Sequence, residues 1–410
     1  MDIETNDEKL LSEPLISPKN WLIKKDLTFL NNGSFGYCPI PVLNYQQSLK
    51  MKMEEELVDF LLRHLEQNLD TNRNCLAQFL GCHGEQIAFI QNATTGVNAI
   101  LRSLKFEPNE NIIMTSHVYN ACANVMEYIA DNYQVEIKIC DLEFPFEDVD
   151  QWVEEIISKV DSKSRIVLID HITSPTAVIN PVQKISSQVK NINPTTLVLV
   201  DGAHSPGQIP VNLESLNIDF YTGNLHKWMF TPKTSAFLYV KNEEKRIQIH
   251  PTTISHGANS KRTDRSKFHL EFDWIGTYDP TPHLCTQFCI EWIRDQVDGG
   301  WEALMIRNNK LALLGRKILC ETLGVESPCP QEFIPAMATI PLPDQIAGNS
   351  LTLPLMLPDL QEWLRSDRKI EVPVTSLRNG DKIFIRISAQ AYNCLEDYVL
   401  LAEALKSRMT

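Results

Sequence analysis

Two short runs, RIVLID at Arg165–Asp170 and TLVLVD at Thr196–Asp201, decide the fold class. Each is apolar and β-branched along its length and closes on an aspartate, as expected of a strand buried on both faces of a parallel sheet. In an open α/β sheet the carboxyl ends of such strands face the ligand crevice. Both aspartates therefore belong to one sheet edge, and Gly202 gives Asp201 room to turn its carboxylate into that crevice. A carboxylate placed there needs a cationic partner, because burying it alone is expensive.

A protonated pyridine nitrogen is such a partner, and keeping that nitrogen charged is what makes pyridoxal 5'-phosphate (PLP) an electron sink. Twenty-six residues after Asp201 comes Lys227, within DFYTGNLHKWMFTPK at residues 219–233 and just beyond a further strand at Phe220–Thr222. His226 and Trp228 flank it. A lysine in an aromatic and cationic pocket has its pKa lowered toward neutrality, which covalent chemistry with a carbonyl cofactor requires. These residues point to Lys227 as the PLP attachment point.

Other stretches supply parts of the same site. EQIAF and Ile90 form a strand, and Asn92-Ala93-Thr94-Thr95-Gly96 opens a helix that runs to about Leu104. Free first-turn amides at the positive end of a helix bind phosphate, which assigns Thr94 and Thr95 to the cofactor phosphate; ordinary capping without a ligand explains the same residues. Arg386 interrupts the apolar strand IFIRIS. A buried guanidinium needs an anion, and its fork fits a carboxylate, either a substrate's or a neighbouring acid's.

In this order the motifs LNNGSFG (Leu30–Gly36), QNATTGVN (Gln91–Asn98), DHITSPTA (Asp170–Ala177), DGAHSPGQ (Asp201–Gln208), the pair His226-Lys227 and IRIS (Ile385–Ser388) span nearly the whole chain. So arranged, they resemble the fold-type I PLP enzymes of aminotransferase class V, the group that contains cysteine desulfurases, and within it the isopenicillin N epimerase-like branch. The resemblance implies an α/β fold: a large PLP-binding domain at 21–280 with a mainly parallel seven-stranded sheet between helices, and a small C-terminal α+β domain at 281–410. Residues 1–20 read as a solvated acidic arm, and 21–45 are expected to pack with the small domain.

The resemblance also implies roles. It puts Asn32 and Gly33 near the substrate, although a plain surface turn accounts for them from composition alone. It places Tyr119 over the pyridine face, with His117 as the other candidate, and turns the Thr173-Ser174 loop toward the ring hydroxyl, where Pro175 alone would also make a turn. His204 falls beside the cofactor, as a group near the ring hydroxyl or a proton carrier, although a lone histidine is more often structural. Asn224 and His226 fall where relatives hold the phosphate. Gly276 and Thr277, in FDWIGT, would reach a partner subunit's phosphate, implying a homodimer with shared sites. Arg386 would bind the substrate α-carboxylate. One departure stands out: Glu371–Ile385, EVPVTSLRNGDKIFI, has no cysteine where desulfurases carry their sulfur-accepting nucleophile.

Composition bounds the partners. At 410 residues the chain exceeds one ordinary domain. Its formal charge of −14 argues against nucleic acid or an anionic membrane. The ten cysteines are scattered without paired metal-ligand spacing, so no metal site is expected and a reducing, cytoplasmic setting is the simpler reading. No apolar run is long enough to span a bilayer. The basic stretch 241–270 reads either as a solvated loop or as a segment that attracts a carboxylate substrate. The absence of a GxGxxG turn excludes a Rossmann nucleotide enzyme. Epimerisation, carbon–sulfur lysis and transamination remain open, as does a non-catalytic binding module, with an amino-acid-type substrate in each enzymatic case.

Overall fold

The computed structural model describes residues 11–347, 356–377 and 382–409. Seven strands form the main sheet: β2 (Ile87–Ile90), β3 (Asn111–Thr115), β4 (Glu136–Cys140), β5 (Ser164–Asp170), β6 (Leu197–Asp201), β7 (Phe220–Asn224) and β8 (Ala236–Val240). Their spatial order is β2-β8-β7-β6-β5-β3-β4. β8 runs antiparallel to both neighbours, and the other pairings are parallel. The expected fold class holds.

Alternation within the deciding runs explains the layers. Ile166 and Leu168 of β5, with Leu197 and Leu199 of β6, pack against Val97 and Ile100 of helix Ala93–Ser103 and Met126 and Ile129 of helix Asn120–Tyr133. Their neighbours Val167, Ile169, Val198 and Val200 turn to the opposite face. There they meet Trp152 and Ile156 of helix Asp150–Ser158 and Ile185 and Val189 of helix Val182–Ile192. Each such side chain, fully buried, contributes about 1.5–3 kcal/mol. Strands apolar on both faces are what a sheet covered on both sides requires.

A second, three-stranded antiparallel sheet is ordered β11-β12-β9, from β9 (Met337–Pro341), β11 (Val374–Ser376) and β12 (Ile383–Ser388). The short β1 (Thr28–Phe29) pairs in parallel with β10 (Ile370–Glu371), tying the start of the chain to its end. Of the acidic arm expected at residues 1–20, residues 1–10 lie outside the described residues, and in the rest Ser12, Glu13 and Ser17–Lys19 are exposed while two apolar side chains pack inward. Leu11 and Ile16 are buried, and Ile16 donates its amide to the Ala391 carbonyl at 3.0 Å. Ile16 shares a core cluster with Ala391 and Tyr392 near the other end of the chain.

Residues 40–79 do not form one unbroken helix. They divide into Ile40–Glu55, a π-helical turn at Asp59–His64, and Leu65–Phe79, with a break at Glu56, whose φ of −150° and ψ of 79° are non-helical. Neither Gly nor Pro is needed for this change of axis. Only the last segment turns a continuous apolar face, Leu65, Leu69 and Leu76, into the core.

The basic stretch 241–270 is largely paired within the chain. Arg265 bridges Asp70 and Asp273, Arg73 bridges the same two acids, Arg262 holds Glu66, and Lys245 with Lys190 holds Asp219. Its cations neutralise local acids and line neither active-site cavity of their own chain.

Candidate active site

The carboxyl ends of β5, β6 and β7 deliver Asp170, Asp201 and Asn224 to one cavity of about 480 Å³. Asp170 and Asp201 are register partners on adjacent parallel strands. The cavity is lined further by Thr94, Thr95, Tyr119, Ser174, His204, His226 and Lys227. Residues up to about 190 apart in sequence thus meet because ligand-facing strand ends and helix starts share one edge.

Lys227 sits in the one-turn helix Leu225–Trp228 that follows β7. Its Nζ lies 3.0 Å from His204 Nε2. Burial is the largest influence on the amine and repulsion by Arg386 the next; together they outweigh the attraction of Asp201, Cys122 and Asp170 and lower its pKa to about 7. His204 is pushed well below the ordinary histidine value, by burial first and then by Lys227 and Arg386, so the imidazole is neutral. Its Nδ1 has no partner among the described residues.

Asp201 is only 2% exposed. One carboxylate oxygen accepts the Ala203 amide at 2.9 Å, and the other faces the Cys122 thiol at 3.2 Å. Burial raises its pKa, while these donors and Lys227 hold it down. A buried carboxylate this close to a lysine, with no full counter-ion of its own, fits the pyridinium of PLP. The helix Ala93–Ser103 begins at the same cavity. Asn92 caps it by accepting the Thr95 amide at 2.9 Å, and Asn224 accepts the Ala93 amide at 2.9 Å. The cradle for an anionic group is therefore a capped helix start beside the lysine.

A second cavity, of about 470 Å³, adjoins at Tyr119 and Ser174 and is lined by Arg386. Arg386 is 4% exposed. It donates to the Ser174 carbonyl and to Ser34 Oγ at 3.3 Å, its Nε has no partner, and no acidic side chain among the described residues pairs with it. The intrachain salt bridge that would have explained it is thus missing from the described residues. Burial lowers its pKa to about 10, so it remains a cation.

Three expected site residues are placed elsewhere. Asn32 is fully buried. Its amide donates to the Lys227 carbonyl at 3.1 Å and its oxygen accepts the Tyr392 hydroxyl at 2.9 Å, so it braces the lysine's backbone instead of meeting substrate. Gly33 donates its amide to Ser388 Oγ at 3.1 Å, and it is the next two residues, Ser34 and Phe35, that line the cavity. Thr173 is locked in its own turn, bonded to Thr176 Oγ1 at 2.7 Å and to the Val178 amide at 2.9 Å. Ser174, one residue on, reaches the cavity. Positions in a turn cannot be assigned to a face by spacing alone.

Of the two stacking candidates, His117 is buried edge-on against Trp152, 4.8 Å between centroids, and lines no active-site cavity. Tyr119, 46% exposed, lines both cavities. Gly276 and Thr277 line neither. Residues passed over from sequence were Ser34, Phe35, Asp170 and Cys122. Asp170 carried a usable signal, since it ends its strand as Asp201 does.

A larger cavity of about 590 Å³, between Leu11, Ile179, Ile209 and the helix Gly300–Leu323, holds none of the candidate site residues. Backbone geometry matters at Gly36 instead. Its φ is +71°, and a Cβ there would overlap the carbonyl oxygens of His226 and Lys227. Gly36→Ala is expected to destabilise the apoprotein by about 2 kcal/mol, read as a lowered thermal midpoint together with weaker PLP uptake.

This fold and site define an enzyme class that carries its cofactor on a lysine. A family model for class-V aminotransferases matches residues 54–269, more than half of the chain, and the chain belongs to that family of PLP enzymes. It is 28% identical to a putative L-cysteine desulfhydrase 1 of Oryza sativa subsp. japonica, covering 92% of this chain and 82% of that one. It is 27% identical to the isopenicillin N epimerase of Amycolatopsis lactamdurans, covering 93% and 94%. Among solved structures it is similar to the cystine C–S lyase C-DES in complex with cysteine persulfide, with a TM-score of 0.74 at 18% identity over 93% and 98% of the chains. No helix among the described residues is long and apolar enough to cross a membrane, and no metal-binding cluster occurs among them.

Proposed function

We propose that the chain is a carbon–sulfur lyase acting on cysteine or a cysteine-type amino acid, releasing sulfur as a free thiol or sulfide. The observation that carries this reading is the pairing of a near-neutral Lys227 amine with an acid-free Arg386 around cavities that no cysteine lines. Cys122, the nearest thiol, is fully buried behind Asp201 with its pKa raised by burial, so no nucleophile is offered to the sulfur.

Asn32 and Gly36 set the backbone of Lys227, and Asp201 would hold the ring nitrogen of PLP. Thr94, Thr95, Asn224 and His226 would hold the phosphate at the helix start, and Tyr119 would cover a ring face. Ser174 lines both cavities and orients Arg386, which would take the substrate carboxylate through its free Nε edge. PLP, when bound, supplies an electron sink for the pair left at the substrate's α-carbon. The neutral amine of Lys227 removes the α-proton, with His204 Nε2 as its hydrogen-bond partner, and the same proton is available to the departing sulfur. For L-cysteine the balance is substrate plus water to pyruvate, ammonia and hydrogen sulfide.

The test is to incubate the PLP-loaded protein with L-cysteine and S-alkyl cysteines and follow pyruvate and thiol in equal amounts. A product that keeps its sulfur and appears as the D-amino acid would establish instead the second reading, epimerisation. Tyr119 favours that alternative, because it lines both cavities and its phenol is an acid apart from Lys227. Transamination would appear as oxo-acid-dependent loss of the amino group with sulfur retained.

The low Lys227 pKa carries its own expectation. Only the neutral amine attacks a carbonyl, so uptake of PLP by the apoprotein should accelerate as pH rises through about 7 and level off above it. A midpoint near the ordinary lysine value would contradict the burial argument. The measurement is the initial rate of colour development against pH.

The same proposal includes a homodimer, with residues 21–280 as large and 281–410 as small domain. Support for the dimer is the exposed position of Thr277 outside its own site and the solvent-facing Met51, Leu57, Val58 and Leu62. Sedimentation velocity tests it. A reducing, cytoplasmic setting also belongs to this reading, in keeping with ten free thiols.

A further inference from the structure

Asp170 takes no part in the reading above, although it lines the same cavity as Lys227. It is 3% exposed, and its register partner across β5 and β6 is Asp201, so the two carboxyl groups leave adjacent strands on the same side of the sheet. Asp201 satisfies both oxygens with protein donors, Ala203 N–H and Cys122 S–H. Asp170 does not: its Oδ2 is buried and has no partner among the described residues. An oxygen in that state, at the wall of a ligand cavity, is explained by a ligand atom that completes it.

We propose that Asp170 is a second ligand of the bound cofactor, donating a hydrogen bond from its carboxylic acid Oδ2 beside the carboxylate of Asp201. The inference rests on PLP as the occupant of this cavity.

Two adjacent buried carboxyls do not both ionise, and the surroundings decide which one keeps the proton. Facing Asp170 are Asp201 on β6, Cys122 and Tyr119 at the start of helix Asn120–Tyr133, and Lys227 beyond β7. Burial first, and then the charge of Asp201, push Asp170 well above the usual carboxylate range, with the Tyr119 amide and Lys227 opposing them. Asp201 is raised less far, with the Ala203 amide, the Cys122 thiol and Lys227 all favouring its charged form, and is the anion. The pair thus carries one negative charge against one pyridinium. The second carboxyl becomes a donor that, unlike a serine, stays fixed by the strand end that carries it.

The experiment compares wild type, Asp170→Asn and Asp170→Ala by three readouts. Infrared difference spectra of the apoproteins, wild type minus Asp170→Asn, should show loss of a protonated carboxyl stretch; loss of a carboxylate band overturns the proposal without reference to cofactor. PLP affinity of the apoproteins should fall about tenfold in Asp170→Ala, the effect of one lost buried hydrogen bond, and be largely rescued by the Asn amide. The pH midpoint of bound-cofactor absorbance should stay in place in Asp170→Asn, since no charge is removed; a downward shift would mean that an anion had been lost, overturning the proposal. Unchanged affinity in Asp170→Ala, with wild type binding PLP, would overturn this inference alone. A wild-type chain that takes up no PLP would overturn the cofactor reading as well. Should Asp170→Ala fail to fold, Asp170→Ser takes its place in the affinity comparison with the same expected loss.

Discussion

Replacing Lys227 with alanine is expected to lower kcat by at least about 10³-fold, within the range that a positioned acid–base group contributes, and to leave a protein that binds PLP without the colour of the covalently held form. Two functions are lost together. The amine is the covalent anchor, and it is the base nearest the reacting carbon. No neighbour substitutes for it: His204 is neutral and spends its Nε2 on Lys227 itself, His226 is turned to the Ser235 carbonyl, and Lys233 lies outside the cavity lining. Folding should survive, because an alanine removes a buried amine whose charge is already disfavoured. The measurements are single-turnover rates with excess enzyme and the absorbance spectrum before and after borohydride. A variant that retains a borohydride-sensitive chromophore would mean that another lysine carries the cofactor.

Substituting Arg386 by leucine should raise KM for the amino-acid substrate by about 10²–10³-fold, the loss expected when one member of a desolvated charge pair is removed. In the free protein this guanidinium is held by the Ser174 carbonyl and Ser34 Oγ, neither of them charged. It is therefore a cation waiting for a counter-ion, and a substrate carboxylate is the natural one. Wild type should discriminate strongly between cysteine and its decarboxylated amine, and Arg386→Leu should lose that discrimination. Arg386→Lys should fall between, since an ammonium restores the charge but not the fork. The arginine also depresses the Lys227 amine, so Arg386→Leu is expected to move the midpoint of PLP uptake upward from about 7. Equal loss of affinity for the carboxylate and the amine would show that Arg386 is structural.

Much of this was legible in the linear chain, for definite reasons. RIVLID and TLVLVD announce two-faced burial because no half-exposed strand tolerates four consecutive apolar residues. Their terminal aspartates announce a ligand edge because carboxylates do not end buried strands without a partner. Lys227 and Arg386 were conspicuous as charges in apolar settings. Thr94, Thr95, Tyr119, Ser174, His204, Asn224 and His226 fall on strand ends and helix starts whose geometry is local, and all of them line the cavity. Turns gave less. Asn32, Gly33 and Thr173 were one or two residues away from the side chains that face the ligand, because rotation about a turn is set by its own hydrogen bonds and by packing against Lys227, Tyr392 and Ser388.

The chain by itself determined the periodicity of its elements, the burial of its sheet and the presence of charged residues that demand partners, since these follow from local composition and the energetic cost of isolated charge. Tertiary structure alone decided which demands were met within the chain. The cations of 241–270 found acids at Asp70, Glu66, Asp219 and Asp273, while Arg386 found none among the described residues. It also set Asp170 beside Asp201, across a gap of 31 residues in sequence, through the register of two parallel strands. Register and ion pairing are long-range choices, fixed only when the whole core closes, and no short window of sequence contains them.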